Sequence, residues 1–251
     1  MGIIEGFVYR EFNLKRASLG TFLAQLINPV IYVVFFATSM SGLLASVEYR
    51  GQTYNYFIFV LPGLLTLQTF LVFPFVGSLV ASDKRFGLIR TFFISKGTPS
   101  KYVLGKIIVE GAVVFVECFF MLAIGFLFSG FLPLISNLLL MSIMIGLAFL
   151  FWLSLGILFG LFVKGEVSRA AILTLTNLPV LFTSPMFYTL NEVPAWVSIG
   201  ALINPLRYHV DSIRDAMFGI LSPTTFIIVL VMSSLTLLIS LLILKKASIT
   251  P

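Results

Sequence analysis

Two carboxylates, Glu110 and Glu117, lie seven residues apart inside one apolar run, a spacing that puts both on a single helical face. A carboxylate at membrane depth is costly unless it is paired or hydrated. Glu110 has Lys106 one turn earlier and is expected to pair with it. Glu117 has no basic residue within helical reach. It is therefore either protonated and hydrogen-bonded across a helix interface or turned toward a polar cavity, and the two glutamates form a candidate intramembrane polar site. Other chemistry-bearing residues are sparse. His209, the one histidine, has no serine or cysteine arrangement and no second metal ligand around it, so a structural or interfacial role is expected. Cys118 stands alone in an apolar run, which leaves neither a disulfide framework nor a C-x-x-C metal spacing. A phosphate cradle of the form G-x-x-x-x-G-K-[ST] is absent, since the strings at 97–106 and 156–164 lack both the spacing and the terminal hydroxyl. No catalytic residue, metal or cofactor is expected in this chain, and any nucleotide chemistry belongs to another polypeptide.

The elements that position these residues follow from composition. Of 251 residues, 59% are hydrophobic and 10% charged, and the mean hydropathy is +1.09. These values describe an integral membrane protein rather than a soluble domain. Apolar runs long enough to cross a hydrocarbon core predict spans at 20–44, 55–81, 103–130, 136–163, 168–189 and 224–244. Before them, 1–19 reads as an interfacial helix with Ile4, Phe7, Val8, Phe12 and Leu19 on one face. The expected fold is all-α, a single domain over 1–251 with six transmembrane helices, five of them within 20–189. No cleavable leader is expected, because the first twenty residues are charged and lack a short apolar core.

Lysine and arginine in short loops are retained in the cytoplasm. Thirteen of the 16 basic residues fall in the N-terminal segment, the loop after span two, residues 164–169 and the C-terminus. Both termini are therefore expected to be cytoplasmic in a multi-pass cell membrane protein. The net charge of +6 reports this topology, and no nucleic-acid partner is expected.

Two segments fit neither span nor simple loop. Residues 82–101 carry a short amphipathic stretch, Phe86, Leu88, Ile89, Arg90, Phe92 and Phe93, followed by a Gly97 to Pro99 turn signal. A cytoplasmic helix of this kind needs a partner for its apolar side. Residues 190–223 are too polar and proline-rich to span, yet hold Trp196, Ile199, Leu202 and Ile203. A hairpin dipping into the membrane from the outer side suits them.

At 204–214 the sequence NPLRYHVDSIR resembles the Asn-Pro-Leu-x-Tyr-x-x-Asp-x-x-Arg signature of ABC-2 permeases, matching it at Asn204, Pro205, Leu206, Tyr208, Asp211 and Arg214. SPMFYTLNEVPAWV at 184–197 and the opening REFNLKRASLGTFLAQLINPVIYVVFF are similar to further segments of that family. The resemblance implies a permease that dimerises, with an identical or a different partner, on two ATP-binding subunits. On that reading, 82–101 is a coupling helix and 190–223 a re-entrant hairpin before the last span. ATP and magnesium would be held by the separate ATPase subunit. Locally, Asn204 caps the helix that Pro205 starts, and Asp211 and Arg214 are spaced to pair.

The resulting expectation is an ATP-driven exporter of an amphipathic, drug-like or lipid-linked substrate, with membrane lipid as a further partner, in a bacterial or archaeal cell. Two alternatives stay open. One is export of polysaccharide or teichoic-acid precursors by the same machinery; the other is a proton-coupled secondary carrier working through Glu117.

Overall fold

In the computed structural model of the chain, the described residues are 2–17, 45–220 and 222–249, with isolated positions between 20 and 42. The expected first span, 20–44, lies outside the described residues, as does Leu19. The described elements begin with α1 (Ile3–Ala17), a hairpin of β1 (Ser46–Tyr49) and β2 (Gln52–Asn55), and α2 (Tyr56–Arg85). They continue with α3 (Leu88–Ile94), α4 (Pro99–Ser129), α5 (Ile135–Phe162) and α6 (Glu166–Phe182). After a short 3-10 turn, the chain ends with α7 (Ala195–Ile203), α8 (Pro205–Phe218) and α9 (Pro223–Ile249).

Local signals set several of these boundaries. Asn55 caps α2 by accepting from the Phe57 N–H, and Thr98 caps α4 by accepting from the Lys101 N–H ahead of Pro99. Pro62 and Pro74 sit inside α2 without ending it. Among the described residues, α2, α4, α5 and the Pro223–Lys246 part of α9 are long and apolar enough to cross a membrane.

The core is built on α2 and α5. Gly156 and Gly160 of α5, spaced as a small-x-x-x-small pair, face the α2 backbone. A Cβ on Gly156 would come within 2.8 Å of the Phe73 carbonyl oxygen, so the two helices touch where side chains would hold them apart. Beside this seam, Trp152 sits edge-on to both Phe70 and Phe151. One apolar cluster runs through α2, α4, α5 and α8 and takes in Phe7 of α1 and Leu244 of α9. Phe57, Phe59 and Phe70 belong to this packing, whereas Phe35 is exposed.

Three expectations change. The segment before α2 is not a plain loop. It forms an antiparallel hairpin, with Arg50 and Gly51 both at positive φ as a two-residue turn that suits strand twist. The helix in the fifth expected span is 17 residues long and ends at Phe182 rather than at 189, which is at the short limit for crossing a bilayer. And α1 buries Phe7 and Glu11, while Phe12 of the expected apolar face stays exposed. Ion pairs, described next, decide which side of α1 turns inward.

Candidate functional site

At the end of the bundle that carries the basic loop, four alternating charges come together, three of them buried and Arg10 half-buried. Lys106 of α4 is 1% exposed and lies 2.8 Å from Glu11 and 3.1 Å from Asp83. Arg10 reaches both acids from the α1 side, at 2.7 Å each, and the Tyr102 hydroxyl donates to Asp83. Two cations and two carboxylates cancel, so the knot is neutral while α1, α2 and α4 are tied to one another. The expected Lys106–Glu110 pair is therefore not made. Lys106 turns to α1 and α2, and Glu110 pairs with Lys15 at 2.8 Å. A lysine preceding a glutamate by four residues is the weaker order on a helix, and two acids outcompete one.

The short helix α3 follows directly. Gly87, at φ 70, lets the chain reverse after α2. Of the predicted coupling residues, Ile89 is buried, Leu88, Phe92 and Phe93 are half-buried, and Phe86 and Arg90 are exposed. Phe92 packs against Phe7 and Tyr102, with ring centroids 5.1 and 5.8 Å away. Thus α3 uses Ile89 and Phe92 to sit on the chain itself and presents Arg90 and Ile94 outward, the last 74% exposed, with Phe86 exposed just before it. Ile94 was not among the predicted residues, although its spacing of four from Arg90 was the available signal.

At the opposite end, the signature residues come together. The Asn204 side chain accepts from the Leu206 N–H as the α8 cap, as its sequence position predicts. Its amide nitrogen also donates to the Val180 carbonyl and the Thr183 hydroxyl, which fastens the break between α7 and α8 to the end of α6. Leu206 is buried, and the Tyr208 hydroxyl donates to the Leu202 carbonyl across the same break. Outward from it, Trp196, Ile199, Leu202 and Ile203 of α7 are all exposed.

Arg214 is buried, and its guanidinium donates to the carbonyls of Phe59, Pro185 and Met186. That segment lies close because Gly63 has no side chain, since a Cβ there would meet the Met186 carbonyl oxygen at 2.6 Å. The predicted Asp211–Arg214 pair is loose at 3.9 Å, and Asp211 is closer to Arg207 at 3.6 Å. The acid that clasps the hairpin is Asp215, which accepts from Tyr49 at 2.8 Å and from Arg50 at 2.6 Å. Burial, reinforced by Asp211 and Asp215, pushes the Tyr49 phenol well above its ordinary pKa, so it stays a neutral donor. His209 is fully buried between Phe151 and Trp152, consistent with a packing role.

Between these ends, Glu110 and Glu117 share the α4 face that meets Gln68, Leu71, Val72 and Phe75 of α2 around a small pocket. Gln68 was not singled out from the sequence. A lone glutamine in an apolar span was the visible signal.

Among the described residues no group of histidine, cysteine and acid side chains could hold a metal. Residues 6–218 match the family model for the ABC-2 type transporter. Two algal proteins, each named "Putative transport permease ycf38", are similar to it. That of Cyanophora paradoxa is 25% identical over 213 residues, covering 80% of this chain and 69% of its own length. That of Porphyra purpurea is 27% identical over 222 residues, covering 84% and 72%. Membrane location holds, but relatives from algal plastids do not bear out the expected bacterial or archaeal source. The match runs from α1 through the signature helix α8, the two regions whose buried charges organise the bundle, and on that extent the chain belongs to the ABC-2 type transporter family, as one of its membrane permeases.

Proposed function

We propose that this chain is the membrane-spanning subunit of an ATP-driven exporter and that a separate cytoplasmic ATPase docks on α3. The observation that carries the reading is the division of α3 into two sides. Ile89 and Phe92 fix it to the chain's own core, while Arg90 and Ile94, with Phe86 just ahead of the helix, are exposed among the described residues. A lever of this kind passes a push inward, because Phe92 packs on Phe7 of α1 and Tyr102 of α4, beside the neutral charge knot that ties α1, α2 and α4 to one another. ATP-driven movement of the partner would then shift the packing of the bundle between two arrangements. On this reading the basic end faces the cytoplasm, and ATP and magnesium are held by the partner.

A second permease subunit is part of the same reading, since α6 buries none of its residues against the described part of the chain. The cargo is an amphipathic, drug-like or lipid-linked molecule. Polysaccharide or teichoic-acid precursors are the alternative within the same machinery.

The deciding experiment is affinity purification of the chain from its native membrane. An ATPase recovered in equal amount, with ATP turnover in the complex, supports the proposal. A chain that comes out alone and moves solute on a proton gradient without ATP overturns it in favour of a secondary carrier.

A further inference from the structure

We propose that the pocket between α2 and α4 binds the primary ammonium group of an amphipathic cation, through Gln68, Glu110 and Glu117. This inference rests on the permease reading and names a chemical class for its cargo.

The site is level with the middle of the bundle. Gln68 precedes the end of α2 by 17 residues and Glu117 follows the start of α4 by 18, both counted from the basic end. At the helical rise this places them together about 26 Å from that end. Glu110 lies deeper toward it, where one carboxylate oxygen is held by Lys15. The pocket between them has a volume of about 70 Å³, room for more than one water-sized group.

Among the described residues its polar atoms are not all satisfied. The Gln68 amide nitrogen and the Glu110 Oε1 are buried there without a hydrogen-bond partner, with Gln68 and Glu110 each only 3% exposed. Glu117 is 6% exposed on the same wall. Such groups are expensive at membrane depth unless something occupies the space between them. Charge then narrows the occupant. Lys15 offsets Glu110, so a cation that holds Glu117 in its ionised form meets one net negative charge, and the complement is a single positive charge.

Donor count narrows it again. A primary ammonium carries three N–H donors and no acceptor. The pocket can offer three acceptors: Glu110 Oε1, the Glu117 carboxylate, and the Gln68 carbonyl oxygen once its amide is turned over. A bare alkali ion would find too few oxygens, because Leu71, Val72, Val113 and Val114 supply the remaining wall. Those side chains instead suit the apolar body behind a charged head.

The test uses the full chain in phosphatidylcholine nanodiscs without ATP or ATPase, titrated with radiolabelled dodecylammonium and corrected for uptake by empty discs. Saturable binding near one per chain is expected, weakened about tenfold by Glu117→Gln and strengthened severalfold by Gln68→Glu, which adds a charge of the required sign. Dodecanol should show no saturable binding. Dodecyltrimethylammonium, with the same charge and no N–H, should bind about tenfold less tightly. Absence of saturable binding, or binding indifferent to both substitutions, overturns the inference, as does saturable uptake of radioactive sodium in place of the amine. Because this assay contains no ATPase, its failure is separable from failure of the permease reading, which is tested by what the chain brings with it on purification.

Discussion

The guanidinium carbon of Arg214 stands 4.0 Å from the centre of the Phe59 ring, with both residues buried. A planar cation on an aromatic face, its N–H groups spent on three carbonyls, is an arrangement that a guanidinium can make and an ammonium cannot. It keys the signature helix α8 to α2 without a close carboxylate.

Replacing Arg214 by Lys should therefore not be conservative. Loss of the stack and of at least one carbonyl bond is expected to cost about 2–4 kcal/mol. Thermal unfolding of the chain in nanodiscs would show it as a lower midpoint, and a midpoint equal to wild type would mean that Arg214 is not the key between α2 and α8.

Lys106→Ala should be at least as damaging, because it leaves Glu11 and Asp83 buried with Arg10 alone. Breaking a buried ion pair from one side costs about 3–5 kcal/mol. The triple change Lys106→Met, Glu11→Gln, Asp83→Asn should recover part of the loss. If the triple is worse than the single, the charges are not acting as one unit.

Phe86→Asp and Ile94→Asp should leave the fold intact and lower ATPase recovery at least tenfold, the order expected when an apolar contact in a protein interface becomes a charge. Phe92→Asp should instead lower expression, since that ring packs on Phe7 and Tyr102. Equal ATPase recovery with both outward variants would exclude this face of α3 as the dock.

The hairpin clasp makes a prediction for alkaline pH. Tyr49 has a folded pKa raised above its ordinary 10.0, so folded and unfolded phenols are both neutral below that pH and stability does not depend on it there. Above it the unfolded phenol releases its proton while the folded one keeps it, and stability falls as pH rises. Tyr49→Phe should flatten the decline in a pH series of unfolding midpoints. An unchanged slope would assign the alkaline loss to other groups.

Much of this was legible in the sequence, for reasons that differ by residue. Apolar run length announced α2, α4, α5 and α9, because hydrocarbon thickness leaves little freedom. Asn204 and Pro205 announced the start of α8, because capping is local. The partners of Lys106 and Arg214 were not legible. Each offered a near neighbour in sequence, Glu110 or Asp211, and each prefers groups brought in from 23 to 155 residues away. Coupling residues were identified as a set, but spacing alone did not say which side of α3 the chain would keep for itself. The Arg50–Gly51 hairpin was hidden because its two short strands are stabilised by Tyr49 and Tyr54 packing on Phe218 rather than by alternation within them.

The clasp of Tyr49 and Arg50 on Asp215 also sets an order of events during synthesis. Its two halves are separated by 166 and 165 residues, so the hairpin leaves the ribosome long before its acid exists. Until α8 is inserted, the hairpin at the head of α2 rests on Phe59 without Asp215 or Phe218 to hold it. A nascent chain stalled short of residue 215 should hold it accessible to protease, and protection should arrive with α8, which would make the insertion of α8 the step that closes this end of the bundle.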